Sequence, residues 1–360
     1  MRSWRLIVRS GLIVVAGLFA VAGCADSPSN PAQVLDPEPA EQLLPDSAEP
    51  SQASASASPG QKRGPDGAVD GAAAAVAPEP SQERVIVPEP PQGIVSDANT
   101  AVQRYRAAAE QGDPNAQYHL GRLYQVGQGE HDYEAAATWY RKAAQQGSVP
   151  AQANLGSMYY RGEGVPQDYQ ESAAWYRKAA EQGSASAQFS LGTMYYRGQE
   201  IPRDYEEAAT WYRKAAEQGD APAQFNLGTM YYYGQGISQD YQEAAKWFTQ
   251  AAEQGLASAQ FNLGIMYYRG QGVPRDYEDA AKWFTAAAER GNVSAQFNMG
   301  VTYYDGQGVA QDYVEAYKWA LLATMNGCAQ GPALRDTLRR VMVPGQVQEA
   351  QRRARAFLER

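Results

Sequence analysis

The chain is poor in the residues from which most catalytic sites are built. Its 360 residues include two cysteines and two histidines. Two histidines leave little room for a His-based zinc site or a Ser-His-Asp triad, and two cysteines cannot form a disulfide framework. A net charge of −9 argues against bulk affinity for nucleic acid, which needs Lys and Arg to displace counterions. Long apolar runs are scarce as well. What the chain does have is aromatic side chains, 11% of the total with 24 Tyr and seven Trp, which is material for contact surfaces.

Charge is unevenly placed. The first 24 residues carry Arg2, Arg5 and Arg9 and no acid, whereas residues 25–96 hold eleven acids against Lys62, Arg63 and Arg84. The basic start and the short apolar run Gly11–Gly23 read as a secretory signal over residues 1–23, too short for a comfortable membrane span. The run ends in Val21-Ala22-Gly23-Cys24, which resembles the bacterial lipobox. That resemblance implies a diacylated Cys24 as the mature N-terminus, anchored on the periplasmic side. Asp26 stands one step beyond the position that favours inner-membrane retention, which points to the outer membrane. Acyl chains contribute ~0.8 kcal/mol per buried CH₂, enough for stable anchoring when two or more are attached. Residues 24–96 contain thirteen of the 21 prolines and few large apolar side chains, the composition of a disordered linker.

Beyond residue 97 the chain repeats itself. Ala-Gln recurs at Ala116, Ala151, Ala187, Ala223, Ala259 and Ala295, and Trp recurs every 36 residues from Trp139 to Trp319. One unit begins Ala223-Gln-Phe-Asn-Leu-Gly-Thr-Met-Tyr-Tyr-Tyr-Gly-Gln-Gly. It resembles the Sel1-like repeat, a relative of the tetratricopeptide repeat, over about residues 97–330. The resemblance implies an all-α, right-handed α-solenoid. Residues 97–112 are expected as an N-terminal capping helix, 113–330 as six helix-turn-helix repeats, and 331–360 as C-terminal capping helices.

The residues of one unit support that reading independently. Ala187, Leu191 and Tyr195 recur at four-residue spacing and give a helix A with one apolar face, on which Gly192 leaves room for a close neighbour. Gly198 and Pro202 break the helix. Asp204 with Glu207 predicts a capping box at the start of helix B. Asp168/Glu171, Asp240/Glu243 and Asp312/Glu315 repeat the pattern, Asp276/Asp279 shortens it, and the first repeat lacks it. Helix B carries Ala208, Ala209, Tyr212, Ala215 and Ala216 and ends at Gly219. Pro332–Met342 and Gln346–Glu359 read as closing helices, the last with an outer face of Arg352, Arg353 and Arg355.

Conventional chemistry is not evident. The recurring Asp residues are explained as helix caps, His119 and His131 as ordinary surface or packing residues, and Cys328 as a small buried residue. The members of this repeat family that are called β-lactamases carry a paired cysteine in each repeat, which this chain does not, and no Ser-x-x-Lys motif has a suitable context. No enzyme activity, metal or cofactor is expected. A helical wheel instead places a second set of residues opposite the Leu191 face: Phe189, Phe225, Phe261 and Phe297; Tyr160, Tyr196, Tyr232, Tyr268 and Tyr304; and Arg161, Arg197 and Arg269. By analogy with the tetratricopeptide array these form a concave partner-binding groove, with Arg placed for carboxylates. The ladder breaks at Tyr233 and Asp305. The expected function is a lipid-anchored periplasmic scaffold that binds another envelope protein. The alternative is a carbohydrate-directed accessory lipoprotein, for exopolysaccharide export or peptidoglycan-linked regulation.

Overall fold

The computed structural model describes residues 98–126, 131–198 and 201–359. The signal, the lipobox and the linker, 1–96, lie outside the described residues. Fifteen helices follow one another, with no strand among the described residues. A lone helix α1 (Ala98–Glu110) precedes six hairpins. These are α2 (Pro114–Val126) with α3 (Tyr133–Gln145), α4 (Val149–Arg161) with α5 (Tyr169–Glu181), and α6 (Ala185–Arg197) with α7 (Tyr205–Glu217). Then come α8 (Ala221–Tyr233) with α9 (Tyr241–Glu253), α10 (Ala257–Arg269) with α11 (Tyr277–Glu289), and α12 (Val293–Asp305) with α13 (Tyr313–Met325). Two helices, α14 (Gly331–Val341) and α15 (Pro344–Leu358), close the array. Each helix A packs against its own helix B and against the helix B before it. The result is an α-solenoid, in which every hairpin buries its apolar faces on its neighbours.

The caps form as half of the expected box. Asp204 accepts from the N–H groups of Glu206 and Glu207 at 3.0 Å. The reciprocal bond is absent because the Asp204 N–H already donates to the Tyr195 carbonyl at 3.0 Å. Glu207 accepts instead from Trp211 Nε1 at 3.1 Å. The first repeat, which lacks the Asp-and-acid pattern as expected, still has an N-cap: Asp132 accepts from Ala135 N–H at 2.8 Å. Only the acid three residues on is missing there.

A glycine in the middle of helix A sets the distance between the two helices of a hairpin. A Cβ on Gly192 would lie 2.9 Å from the Tyr212 ring and 3.3 Å from the Ala208 carbonyl. Gly228 meets Phe248 and Gly264 meets Phe284 in the same way. In the last repeat the ring position is Ala320, and Leu334 from α14 takes its place over Gly300. Tyr317, one turn earlier, is fully buried and accepts from Arg339 Nε at 2.9 Å, which ties the cap down. Between repeats the second loop glycine (Gly164, Gly236, Gly272 and Gly308) does similar work. Gly236 has φ +66°, and a Cβ there would come 2.4 Å from the Tyr205 backbone of the preceding repeat.

A polar spine runs through this apolar frame. The glutamine of each Ala-Gln pair (117, 152, 188, 224, 260 and 296) is buried, and its Nε2 donates at 3.0–3.2 Å to a carbonyl at the end of the preceding helix B. Its Oε1 accepts from an amide 29 or 30 residues on: Gln146, Gln182, Gln218, Gln254 or Asn326. Arg290 occupies that place in the fifth repeat, and Gln260 Oε1 is left without a partner. A second gap lies at Asn262, which is 1% exposed with both side-chain polar atoms unpaired. Its counterpart Asn226 hydrogen-bonds the Tyr212 hydroxyl. One repeat later the ring is Phe248, which has no hydroxyl to offer.

Two stability changes follow from these contacts. Gly192→Ala should cost about 1–3 kcal/mol by overpacking, whereas Gly345→Ala, with nothing within 4 Å of the added methyl, should not destabilise. Phe248→Tyr should gain about 1 kcal/mol or more by pairing Asn262. Chemical denaturation of the three variants beside the wild type measures both effects.

Candidate functional site

Helix A is held between two B helices, so it has two buried stripes. Ala187, Leu191 and Met194 pack with Tyr176, Ala179 and Ala180 of the preceding helix B. Phe189 faces the helix's own partner, with its ring 5.8 Å from Tyr212; Phe225–Phe248 and Phe261–Phe284 stand at 5.7 Å. The four expected Phe rungs are therefore inside. Phe189, Phe225, Phe261 and Phe297 are 3%, 6%, 1% and 0% exposed, and Phe297 belongs to the cluster around Tyr317. They support the surface from beneath and do not line it. The wheel allowed one buried face where stacking creates two.

The Tyr and Arg rungs lie elsewhere, at the edge where A helices end and B helices begin. Each rung tyrosine packs edge-on or tilted against the first tyrosine of its own helix B: Tyr160–Tyr169, Tyr196–Tyr205, Tyr232–Tyr241, Tyr268–Tyr277 and Tyr304–Tyr313, with ring centroids 5.0–5.8 Å apart. Their hydroxyls cross to the next repeat. Tyr196, Tyr232 and Tyr268 donate to the loop glutamines Gln235, Gln271 and Gln307 at 2.7–2.9 Å. The arginines cross the other way: Arg197 donates to Tyr160 and Arg269 to Tyr232, each at 3.3 Å. Arg161 lies 3.7 Å from Glu163 in its own loop. Burial pushes the Tyr196, Tyr232 and Tyr268 phenols up, and Arg269 opposes this at Tyr232. Where the ladder turns to Asp305, burial raises that carboxyl too.

Exposure along the edge is graded. Tyr160, Tyr196, Tyr268 and Tyr304 are half-buried and Tyr232 is 6% exposed, whereas Tyr233 is 40% exposed with its ring 5.2 Å from that of Tyr232. Two residues outside the expected set complete the pattern. Arg203 and Arg275, exposed in the loops, lie against the rings of Tyr205 and Tyr277 at 5.8 Å. Among the described residues no carboxylate pairs with Arg203, Arg269 or Arg275. The third and fifth repeats thus present Arg197/Arg203 and Arg269/Arg275 on either side of the Tyr232/Tyr233 pair. Their signal was available in the sequence: the loop position six residues after each ladder Arg alternates Gln167, Arg203, Gln239, Arg275, Gln311.

A second set of basic and aromatic residues links and flanks the B helices of the early repeats. Arg141 and Arg213 donate to Tyr159 and Tyr231 of the next repeat at 3.1 Å, and Arg177 does the same to Tyr195. Lys142, Lys178 and Lys214 lie over Trp139, Trp175 and Trp211 at 3.8–4.1 Å. In the fourth and fifth repeats these basic pairs become Thr249/Gln250 and Thr285/Ala286. Among the described residues no group of His, Cys, Asp and Glu could hold a metal ion, and no helix is long and apolar enough to cross a membrane.

The Sel1 repeat family matches residues 91–113, 114–148, 149–184, 185–220, 221–256, 257–292 and 293–328, so the lone α1 counts as part of a seventh unit. No curated protein matches the chain significantly. Among solved structures, a Sel1 repeat protein from Oxalobacter formigenes is 34% identical, with 63% of this chain and 96% of that one covered and a TM-score of 0.53. A protective antigen present in uropathogenic Escherichia coli strains is 28% identical, covering 74% of this chain and 81% of its own, with a TM-score of 0.41. With matches running from residue 91 to residue 328, the chain belongs to the Sel1 repeat family, whose helical arrays are scaffolds for protein–protein interaction.

Proposed function

We propose that the protein is a lipid-anchored scaffold on the periplasmic side of the bacterial envelope, which captures another envelope protein through the edge ladder of repeats three to five. The observation that carries the binding role is the arrangement of Arg197/Arg203 and Arg269/Arg275 about Tyr232/Tyr233. Exposed aromatic and arginine side chains are the types that dominate binding energy at protein interfaces. The Arg203, Arg269 and Arg275 guanidinium groups, which pair with no carboxylate among the described residues, suit acidic groups on a partner. The anchor is supported by the order of basic start, apolar run and Val21-Ala22-Gly23-Cys24. Cys24 has two exclusive uses, a thioether to a diacylglycerol or a disulfide with Cys328, and the lipobox order favours the first.

Three outcomes test this reading. Labelled fatty acid should enter the wild-type chain and not Cys24→Ser; a wild type without label removes the anchor. Capture of a protein partner from detergent-solubilised envelopes should weaken by ~2 kcal/mol or more in Tyr233→Ala, with a change in stability within about 0.5 kcal/mol. Tyr232→Ala should instead unfold the array early, at a cost of about 3–5 kcal/mol, because its ring is buried. Retention of peptidoglycan or exopolysaccharide in place of a protein would overturn the scaffold reading.

A further inference from the structure

Three acidic proline motifs stand in the segment ahead of the array: Pro37-Glu38-Pro39, Pro78-Glu79-Pro80 and Pro88-Glu89-Pro90. Proline fixes φ near the polyproline II value, so such a triplet presents flat rings and a carboxylate from a backbone with little conformational entropy left to lose. Polyproline II segments dock on grooves lined by aromatic rings. The edge ladder has the matching chemistry, with tyrosine rings at Tyr232, Tyr233 and Tyr241 and guanidinium groups at Arg203, Arg269 and Arg275.

Connectivity adds to this complementarity. The segment 25–96 carries eleven acids against three bases and leads directly into α1. Glu89 stands nine positions and Glu79 nineteen positions ahead of Ala98, reaches of about 28 Å and about 59 Å at ~3.1 Å per residue. At ~8–10 Å per layer the third repeat lies roughly 24–30 Å beyond α1 and the fifth roughly 40–50 Å, which puts Arg203 at the reach of Glu89 and Arg275 within that of Glu79. A tethered ligand faces its site at an effective concentration of order mM, so even a weak match keeps the site filled.

We propose that the chain's own Pro-Glu-Pro segments, at Glu79 and Glu89, occupy the Tyr/Arg edge ladder of repeats three to five, and that an external partner must displace them. Proline rings stack on Tyr233 and Tyr241, and the glutamates pair with Arg203 and Arg275. The inference rests on the ladder being the partner site. It adds a competitor of defined sequence, so that the array in isolation is closed and a partner binds by exchange.

The test uses the full chain carrying Cys24→Ser, with the photoreactive residue p-benzoylphenylalanine at position 233. Irradiation should give cross-links within one chain to peptides that contain Glu79 or Glu89. Glu79→Lys with Glu89→Lys should lower their yield about fivefold or more, as should Arg203→Glu with Arg275→Glu, and combining the two pairs should restore it. Cross-links spread evenly along residues 25–96, cross-links to a second copy, or a yield indifferent to charge would each overturn the proposal. Melting curves of the four proteins show that the comparison is made on folded chains. Partner capture separates the two readings. If Tyr233→Ala weakens capture while no cross-link forms, the self-docking is wrong and the scaffold stands. If cross-links form as described and capture ignores Tyr233→Ala, the scaffold site is wrong and the self-docking stands.

Discussion

The close approach of a helix A backbone to a ring on helix B is the contact on which the rest of the array depends. Glycine at positions 192, 228 and 264 lets the ring of Tyr212, Phe248 or Phe284 lie where a side chain would otherwise begin. That approach brings the Phe three residues before each glycine onto the same ring and leaves the Leu stripe for the preceding helix B. Both broad faces of helix A are then committed to packing. What remains open is the edge, where helix ends and loops meet and where the array carries its variable charge.

The same contact explains how the array stops. Ala320 removes the ring, Leu334 of α14 fills the space over Gly300, and Tyr317 with Arg339 holds α14 in place. At the other end α1 has no helix A of its own among the described residues, and Tyr105, its counterpart of the buried Tyr140, is 37% exposed and stacked on His119. Register along the array comes from the buried glutamines, each bonded both backward and forward. A buried amide with two fixed partners tolerates no slip, because a shift would strand donor and acceptor alike. The array departs from this rule at Gln260 and Asn262, where Arg290 and Phe248 replace the partners that other repeats supply.

Much of this was legible in the sequence for physical reasons. Helix starts and stops are local, since Asp204 and Gly219 act through backbone groups within a turn or two, and the period is read directly from the 36-residue spacing of Trp. Gly192 is legible as a site of close approach, and Cys328 as buried. The Phe rungs were misplaced because a helical wheel describes one helix with one partner, while a stacked helix has two. The glutamine of Ala-Gln served only as a marker of the period; its bonds reach 8 and 30 residues away and have no local signature. Arg203 and Arg275 sit in loops, outside any wheel. The lipobox and linker expectations concern residues outside the described structure, and they enter the functional proposal on sequence alone.

Packing therefore divides the aromatic residues into an inner set that builds the solenoid and an outer set at its edge that is available for contact. Hydroxyl-radical footprinting of the intact chain tests this division most directly, since each ring reports its own access to solvent. The account predicts rapid oxidation at Tyr233, slower oxidation at Tyr196 and Tyr268, and protection at Phe225, Phe261, Phe297 and Tyr212. Phe225 and Phe261 oxidised as fast as Tyr233 would mean that helix A turns its second stripe to solvent, and would contradict the two-sided packing from which the edge ladder follows.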